Sequence, residues 1–107
     1  PAMLQILRDR DRTPPRDLVP WAGEFAGKYL TSAVGALRLT GDPSLRRTLK
    51  RFVADLIACQ NPDGYFGPFP ASNRMLGPGL WDLWGQYHVL LGLLRWHEAT
   101  GDRAAWA

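Results

Sequence analysis

The chain has 107 residues and a net charge of +3, enough for one small domain and too few for two. Hydrophobic residues make up 46% and charged residues 21%, the balance of a globular protein, which excludes wholesale disorder. Eleven glycines and nine prolines follow no collagen-like period, and a single cysteine excludes both a disulfide framework and a self-contained zinc site.

Residues 1–20 read as a lead-in. Met3–Leu7 is predicted to form a short helix. The stretch from Thr13-Pro14-Pro15 to Val19-Pro20 cannot continue it, because each proline biases its predecessor away from the helical region. Arg8, Arg10, Arg12 and Arg16 stand where a signal peptide would carry a long apolar core, so this segment does not read as one. The chain opens on Pro1 and closes on Trp106-Ala107, just inside what reads as a new helix, and is expected to be a piece of a longer polypeptide. The compartment is left open.

Residues 21–60 read as a helical hairpin. Its first helix spans about 21–39, with Phe25, Tyr29, Leu30, Ala33, Val34 and Leu37 at steps of three and four. Gly23, Gly27 and Gly35 weaken it by up to about 1 kcal/mol each relative to alanine. Such a helix depends on tertiary packing, and its glycines let a neighbour come close. Thr40-Gly41-Asp42-Pro43 reads as a stop and a start: Gly41 for a left-handed closing residue, Asp42 as a cap, Pro43 at the first helical position. The second helix spans about 43–60 and carries the cleanest apolar stripe, Leu45, Leu49, Phe52, Val53, Leu56 and Ile57. Arg46, Arg47, Lys50 and Arg51 gather on the opposite face. A phosphate-binding patch is the functional alternative there. With no aromatic or glycine-rich element interleaved, the cluster reads as a solvated face, and no nucleic-acid partner is expected. Cys59 reads as a small buried apolar residue.

Residues 61–80 form a long loop, NPDGYFGPFPASNRMLGPGL, and loops of this length in small domains are often functional. A third helix, about 80–100, is apolar nearly all round, which predicts burial on several sides. Its longest apolar run, Val89–Leu94, is too short for a bilayer, and no membrane is expected as a partner. Thr100-Gly101-Asp102 then repeats Thr40-Gly41-Asp42 at an offset of 60 residues, with Leu30, Ala33 and Val34 matching Leu90, Leu93 and Leu94. Residues 81–107 thus begin a second hairpin. One tight turn and one long loop per helix pair is the layout of an all-α toroid. A toroid cannot close with so few helices, so the third is expected to stay partly uncovered.

The chemistry-bearing residues cluster around the long loop. Asp63-Gly64-Tyr65 sets a turn beside the end of the second helix. Trp81, Asp82, Trp84, Gln86 and His88 open the third. Aromatic faces that stack on sugar C–H surfaces, with carboxylates, amides and histidine for the hydroxyls, are the parts of a carbohydrate site. Each has a plainer reading. Trp81, Trp84 and Trp96 weigh towards core. His88 is as readily a hydrogen-bonded core residue. Asp63 holds its own turn, and Glu24 pairs with Lys28 at i,i+4 or points into a cleft. Asp42 and Asp102 are caps, and His97-Glu98 complements a helix end. The acids Glu24, Asp63 and Asp82 show no fixed spacing for paired-carboxylate glycoside hydrolysis. No phosphate-binding loop, dinucleotide fingerprint, His-based zinc motif or serine elbow is present.

The run Trp21-Ala22-Gly23-Glu24-Phe25-Ala26-Gly27-Lys28-Tyr29-Leu30, then Gln60-Asn61-Pro62-Asp63-Gly64-Tyr65-Phe66-Gly67, then Trp81-Asp82-Leu83-Trp84 and Gly92-Leu93-Leu94, closed by Thr100-Gly101-Asp102, resembles the N-terminal part of glycoside hydrolase family 127, the β-L-arabinofuranosidase-like family. The resemblance covers nearly the whole chain. It departs on the third helix, where many members carry a His-Glu-x-Tyr run and this chain reads Gln86-Tyr87-His88-Val89.

The resemblance implies an (α/α)6 six-hairpin barrel whose cleft takes the terminal sugar of a glycan. It also implies a cysteine nucleophile beside zinc and a glutamate acid/base, all downstream of this segment, so no cofactor and no catalytic residue is expected here. The segment is expected to supply barrel wall and sugar-binding rim, to be inactive alone, and to pack against the remainder of its own chain. Glu24, Asp63, Tyr65, Trp81, Gln86 and His88 are the rim candidates. The alternative is a small self-associating helical module, without enzymatic activity, that pairs through the uncovered third helix.

Overall fold

A computed structural model of the chain describes residues 1–74 and 81–106. Among the described residues the protein is all-α: α1 (Ala2–Arg8), α2 (Phe25–Thr40), α3 (Pro43–Ile57) and α4 (Asp82–Thr100), joined by turns and loops. No helix of this set is long and apolar enough to cross a membrane. Between α1 and α2 the proline-rich lead-in carries no helix, and the Thr13–Pro14 peptide is cis.

The two Thr-Gly-Asp turns fold alike. Gly41 and Gly101 take φ of 63° and 72°, the left-handed region where a Cβ is costly. Thr40 Oγ1 donates back to the Ala36 carbonyl at 2.9 Å, and Thr100 Oγ1 to that of Trp96 at 2.7 Å. Each hydroxyl then accepts from the backbone N–H two residues on, Asp42 at 3.3 Å and Asp102 at 3.2 Å. Asp42 caps α3 through the N–H groups of Ser44 (2.7 Å) and Leu45 (3.3 Å), a contribution of about 1 kcal/mol. Asp102 caps a short 3-10 turn, Arg103–Ala105, through Ala104 N–H at 3.0 Å. That turn stands where the sequence suggested a new α-helix.

The internal repeat also governs packing. Gly23 lies against Gly85, Gly27 against the backbone of His88 and Val89, and Leu30 against Gly92. Numbers rise together along both helices, so α2 and α4 run parallel with a register close to the 60-residue offset. A Cβ on Gly27 would run into the His88 and Val89 backbone, and one on Gly92 would stand 3.0 Å from the Gly27 carbonyl oxygen. These glycines cost helix propensity and return a very close helix–helix contact. α3 returns antiparallel across the Gly41 turn, with Phe52 edge-on to Tyr29 at 4.8 Å. Leu30, Val34, Leu49, Val53, Leu56, Val89 and Trp96, joined by Leu4 and Leu7 of α1, form one buried core. Each such aliphatic side chain contributes about 1.5–3 kcal/mol. The Trp96 indole N–H is satisfied by Asp102 Oδ2 at 2.8 Å.

Three expectations need adjustment. α2 starts at Phe25, because the chain enters it through a 3-10 turn, Ala22–Glu24, whose Gly23 is pressed between Pro68 and Gly85. The loop from residue 61 contains a short 3-10 turn, Ala71–Asn73, and its part at 75–80 lies outside the described residues. Trp96 is core, but Trp81 and Trp84 are about half exposed, at 51% and 43%. They stand at the start of α4, partly covered by Trp21 on one side and by Glu24 and Lys28 on the other.

Candidate functional site

Because α2 and α4 are parallel, both begin at the end of the molecule that carries the long loop. Two polar assemblies form there, one at each helix start.

The first joins the loop to α4. Asp63 accepts from Tyr65 N–H at 3.1 Å and from Asn61 Nδ2 at 3.0 Å, an Asx-type turn closed by Gly64 at φ 92°. Arg74 Nη1 meets its other oxygen at 2.6 Å. These partners hold the Asp63 carboxyl at a pKa of about 2: the Asn61 hydrogen bond contributes most, then the Tyr65 N–H and Arg74. The turn delivers Tyr65 into the interior. Its hydroxyl donates to Asp82 Oδ1 at 2.8 Å, and Asp82 is 1% exposed. Arg74 stacks over the ring at 3.9 Å, and Arg10 lies 5.5 Å from its centroid. Arg10 is itself buried, donating to the carbonyls of Leu7 (2.8 Å), Cys59 and Tyr65 (3.4 Å). Burial, with the Asp82 carboxylate beside the hydroxyl, pushes the Tyr65 phenol well above its usual range. Gln86 completes the junction by accepting from Phe66 N–H at 3.1 Å.

The second assembly lies in the groove between α2 and α4. Glu24 receives the Trp84 indole N–H and pairs with Lys28 Nζ at 3.0 Å. Lys28 also sits 5.6 Å from the Trp84 ring. His88 meets Trp84 edge-on at 4.4 Å and Tyr87 at 5.0 Å. Burial raises the Glu24 pKa, but the hydrogen bonds from Lys28 and Trp84 outweigh it and leave the carboxyl below its usual value. Burial, then the nearby Lys28 charge, lowers the His88 pKa, against the opposing pull of Glu24. His88 Nε2 and Thr31 Oγ1, on the facing stripes of the two helices, are buried and without a hydrogen-bond partner among the described residues. Trp81 extends this end, its ring tilted against Trp21 at 5.6 Å and its backbone N–H donating to the Pro20 carbonyl at 3.1 Å.

The structure therefore divides the six rim candidates. Glu24 and His88 come together in the groove, with Trp81 nearby. Asp63, Tyr65 and Gln86 fasten the loop. Trp84 and Lys28 stand at the centre of the groove cluster and were not among the rim candidates: the sequence weighed Trp84 towards core and gave Lys28 only as the i,i+4 partner of Glu24. The repeat offset held the signal, since it pairs 24 with 84 and 28 with 88.

Cys59 is buried, with its thiol on the Asp55 carbonyl at 3.1 Å. Among the described residues no three His, Cys, Asp or Glu side chains converge as metal ligands. These residues do not fit a zinc site.

Two parallel helices opened by one long loop and closed by matching tight turns define the class: repeated α/α hairpins, the building unit of an (α/α)6 toroid. A family model described as the β-L-arabinofuranosidase, GH127 catalytic domain matches residues 11–107. The chain belongs to glycoside hydrolase family 127, and its all-α fold is that of a segment of such a domain. No curated protein and no solved structure matches it.

Proposed function

We propose that this segment forms wall and rim of the sugar-binding cleft of a β-L-arabinofuranosidase-like glycoside hydrolase, with the groove between α2 and α4 as the rim. The observation that carries this reading is the Glu24–Lys28–Trp84–His88 cluster, where a half-exposed indole adjoins a carboxylate, a cation and an unspent imidazole nitrogen. The Trp84 ring offers a stacking surface for the C–H face of a terminal sugar. Glu24 accepts from its hydroxyls, and Lys28 keeps that carboxylate ionised and in place. His88, neutral at physiological pH, supplies a further hydrogen bond through Nε2. Asp63, Tyr65 and Gln86 act at one remove by fixing the loop against α4. The family's cysteine nucleophile, zinc and acid/base are expected elsewhere in the polypeptide.

The test is hydrolysis of an aryl β-L-arabinofuranoside by the full-length protein, wild type against Glu24→Gln and His88→Ala. Each variant is expected to lose at least about tenfold in kcat/KM, equivalent to about 1.4 kcal/mol of binding in the transition state. Wild-type kcat/KM in both, with the substrate still turned over, would remove the groove from the site.

A further inference from the structure

Across the groove, α2 and α4 meet as a ladder whose rungs are residues 60 apart. Trp21 precedes the 3-10 turn that leads into α2, Trp81 stands at the N-cap of α4, and their rings lie 5.6 Å apart, tilted by 54°. On the next rung Glu24 takes the Trp84 indole N–H, and on the third the Lys28 charge reaches His88. Positions 81, 84 and 88 follow at steps of three and four, so the rungs run along one stripe of α4. The ladder grades from outside to inside: Trp21 and Trp81 are 40% and 51% exposed, whereas His88 Nε2 is buried. The indole N–H groups of Trp84 and Trp96 are spent on Glu24 and Asp102, but those of Trp21 and Trp81 have no partner among the described residues.

We propose that the Trp21–Trp81 pair is a second sugar subsite, the platform for the unit that follows the terminal sugar of the glycan. This subsite rests on the groove reading, which seats the terminal sugar against Trp84 and Glu24. The grading of the ladder gives the ligand a direction: the terminal ring enters towards His88, and the rest of the glycan leaves over the helix starts. Residues 81 and 84 are about 4.5 Å apart along the helix axis, close to the length of one sugar unit. A ring laid on the outer pair is therefore the neighbour of a ring laid on Trp84. Centroids 5.6 Å apart leave no room for a sugar between the two indoles, so it lies on their outward faces, where the exposure is. Those faces take its C–H surface, and the two free N–H groups donate to its oxygens. The pair selects a glycan over a simple glycoside of the same terminal sugar.

The experiment compares two substrates of the full-length protein. Methyl β-L-arabinofuranoside has nothing beyond its terminal sugar to lay on the indoles; a β-linked L-arabinofuranosyl disaccharide has. The ratio of kcat/KM, disaccharide over methyl glycoside, is read for wild type and Trp21→Leu, with Trp81→Leu as a second variant in case the first fails to fold. Leucine keeps apolar bulk at the site and removes the flat face. Wild type is expected to favour the disaccharide, and the ratio should fall at least about tenfold in either variant. An unchanged ratio, whatever happens to Tm, would make the pair plain packing and overturn the proposal. If Glu24→Gln loses activity on both substrates while the tryptophan variants keep the wild-type ratio, the groove stands and the second subsite falls. If the wild type hydrolyses neither substrate, the groove reading falls and takes the subsite with it.

Discussion

Glu24 and Asp82 are carboxylates at the starts of neighbouring parallel helices, and they do opposite things. Asp82 is sealed: it is 1% exposed and takes the Tyr65 hydroxyl, whose ring has the Arg74 and Arg10 guanidinium groups over it. Glu24 is also buried, but its partners Lys28 and Trp84 are both exposed. The difference follows from the loop. Residues 65–69 cover the side of α4's first turn that carries Asp82, through the Tyr65 hydroxyl, whereas Glu24 faces the side where Lys28 and Trp84 stay exposed. A carboxylate with internal partners on a covered side is a fastening. One held ready beside an unspent imidazole nitrogen and an open indole has hydrogen-bonding capacity left for a ligand.

Both assemblies rest on the α2–α4 contact, so the largest effect should come from breaking it. Gly27→Ala drives a methyl group into the His88 and Val89 backbone, and backbone cannot swing aside as a flexible side chain can. Overpacking at such a site costs about 3 kcal/mol or more, and denaturant unfolding should show it as a large fall in the midpoint. Wild-type stability would mean that the two helices are not in backbone contact. Tyr65→Phe breaks only the sealed assembly. It withdraws a buried donor from Asp82 and should cost about 1–3 kcal/mol, with KM little changed. A KM effect larger than the stability effect would return Tyr65 to the rim.

Glu24→Gln sharpens the contrast from the other side. Its ion pair is with a half-exposed lysine, so stability should shift by no more than about 1 kcal/mol while kcat/KM falls. His88 adds a pH signature. Burial lowers its pKa in the folded state, so the folded protein favours the neutral ring. Its contribution to stability is fully present above the unfolded pKa of about 6.5 and is lost as pH falls through the lower folded value. The difference in Tm between wild type and His88→Ala should therefore change on acidification below about pH 6.5 and stay constant above it. A constant difference across that range would show that His88 does not titrate against folding.

Much of the framework was legible because it is local. Gly41, Asp42 and Pro43 announce a helix end and a helix start through backbone rules that need no tertiary information, and the stripe of α3 follows from its period alone. The repeat offset was visible in the two Thr-Gly-Asp turns and in the matches of Leu30, Ala33 and Val34 with Leu90, Leu93 and Leu94, but it was not carried back to the helix starts, where the same step relates Glu24 to Trp84. The side-chain assignments were harder, because exposure is a tertiary property. Trp84 and Trp96 sit on the same apolar helix, and only the placement of α2 and α3 shows that one is buried and the other half open. Tyr65 read as a rim aromatic because nothing nearby in sequence marks Asp82, 17 residues on, as its partner.

The smallest effect expected is at Asp63, and it decides between turn and rim for that residue. The carboxyl is exposed, yet it bonds Asn61, the Tyr65 N–H and Arg74 at once. Its pKa of about 2 lies below the ordinary carboxylate value, so the stabilisation it provides is present above about pH 4 and is lost as pH falls through about 2. The Tyr65 amide reports this directly, because its hydrogen bond ends on Asp63 Oδ1. In Asp63→Ala that amide should lose protection at pH 4, and acidifying the wild-type protein towards pH 2 should bring its protection, relative to the unfolded rate at each pH, down to the same level. Tm should drop slightly, and KM should stay at its wild-type value, because a loosened turn still leaves Tyr65 bonded to Asp82. If KM rises while Tyr65 exchange is unchanged, the carboxylate touches sugar and does not hold the loop.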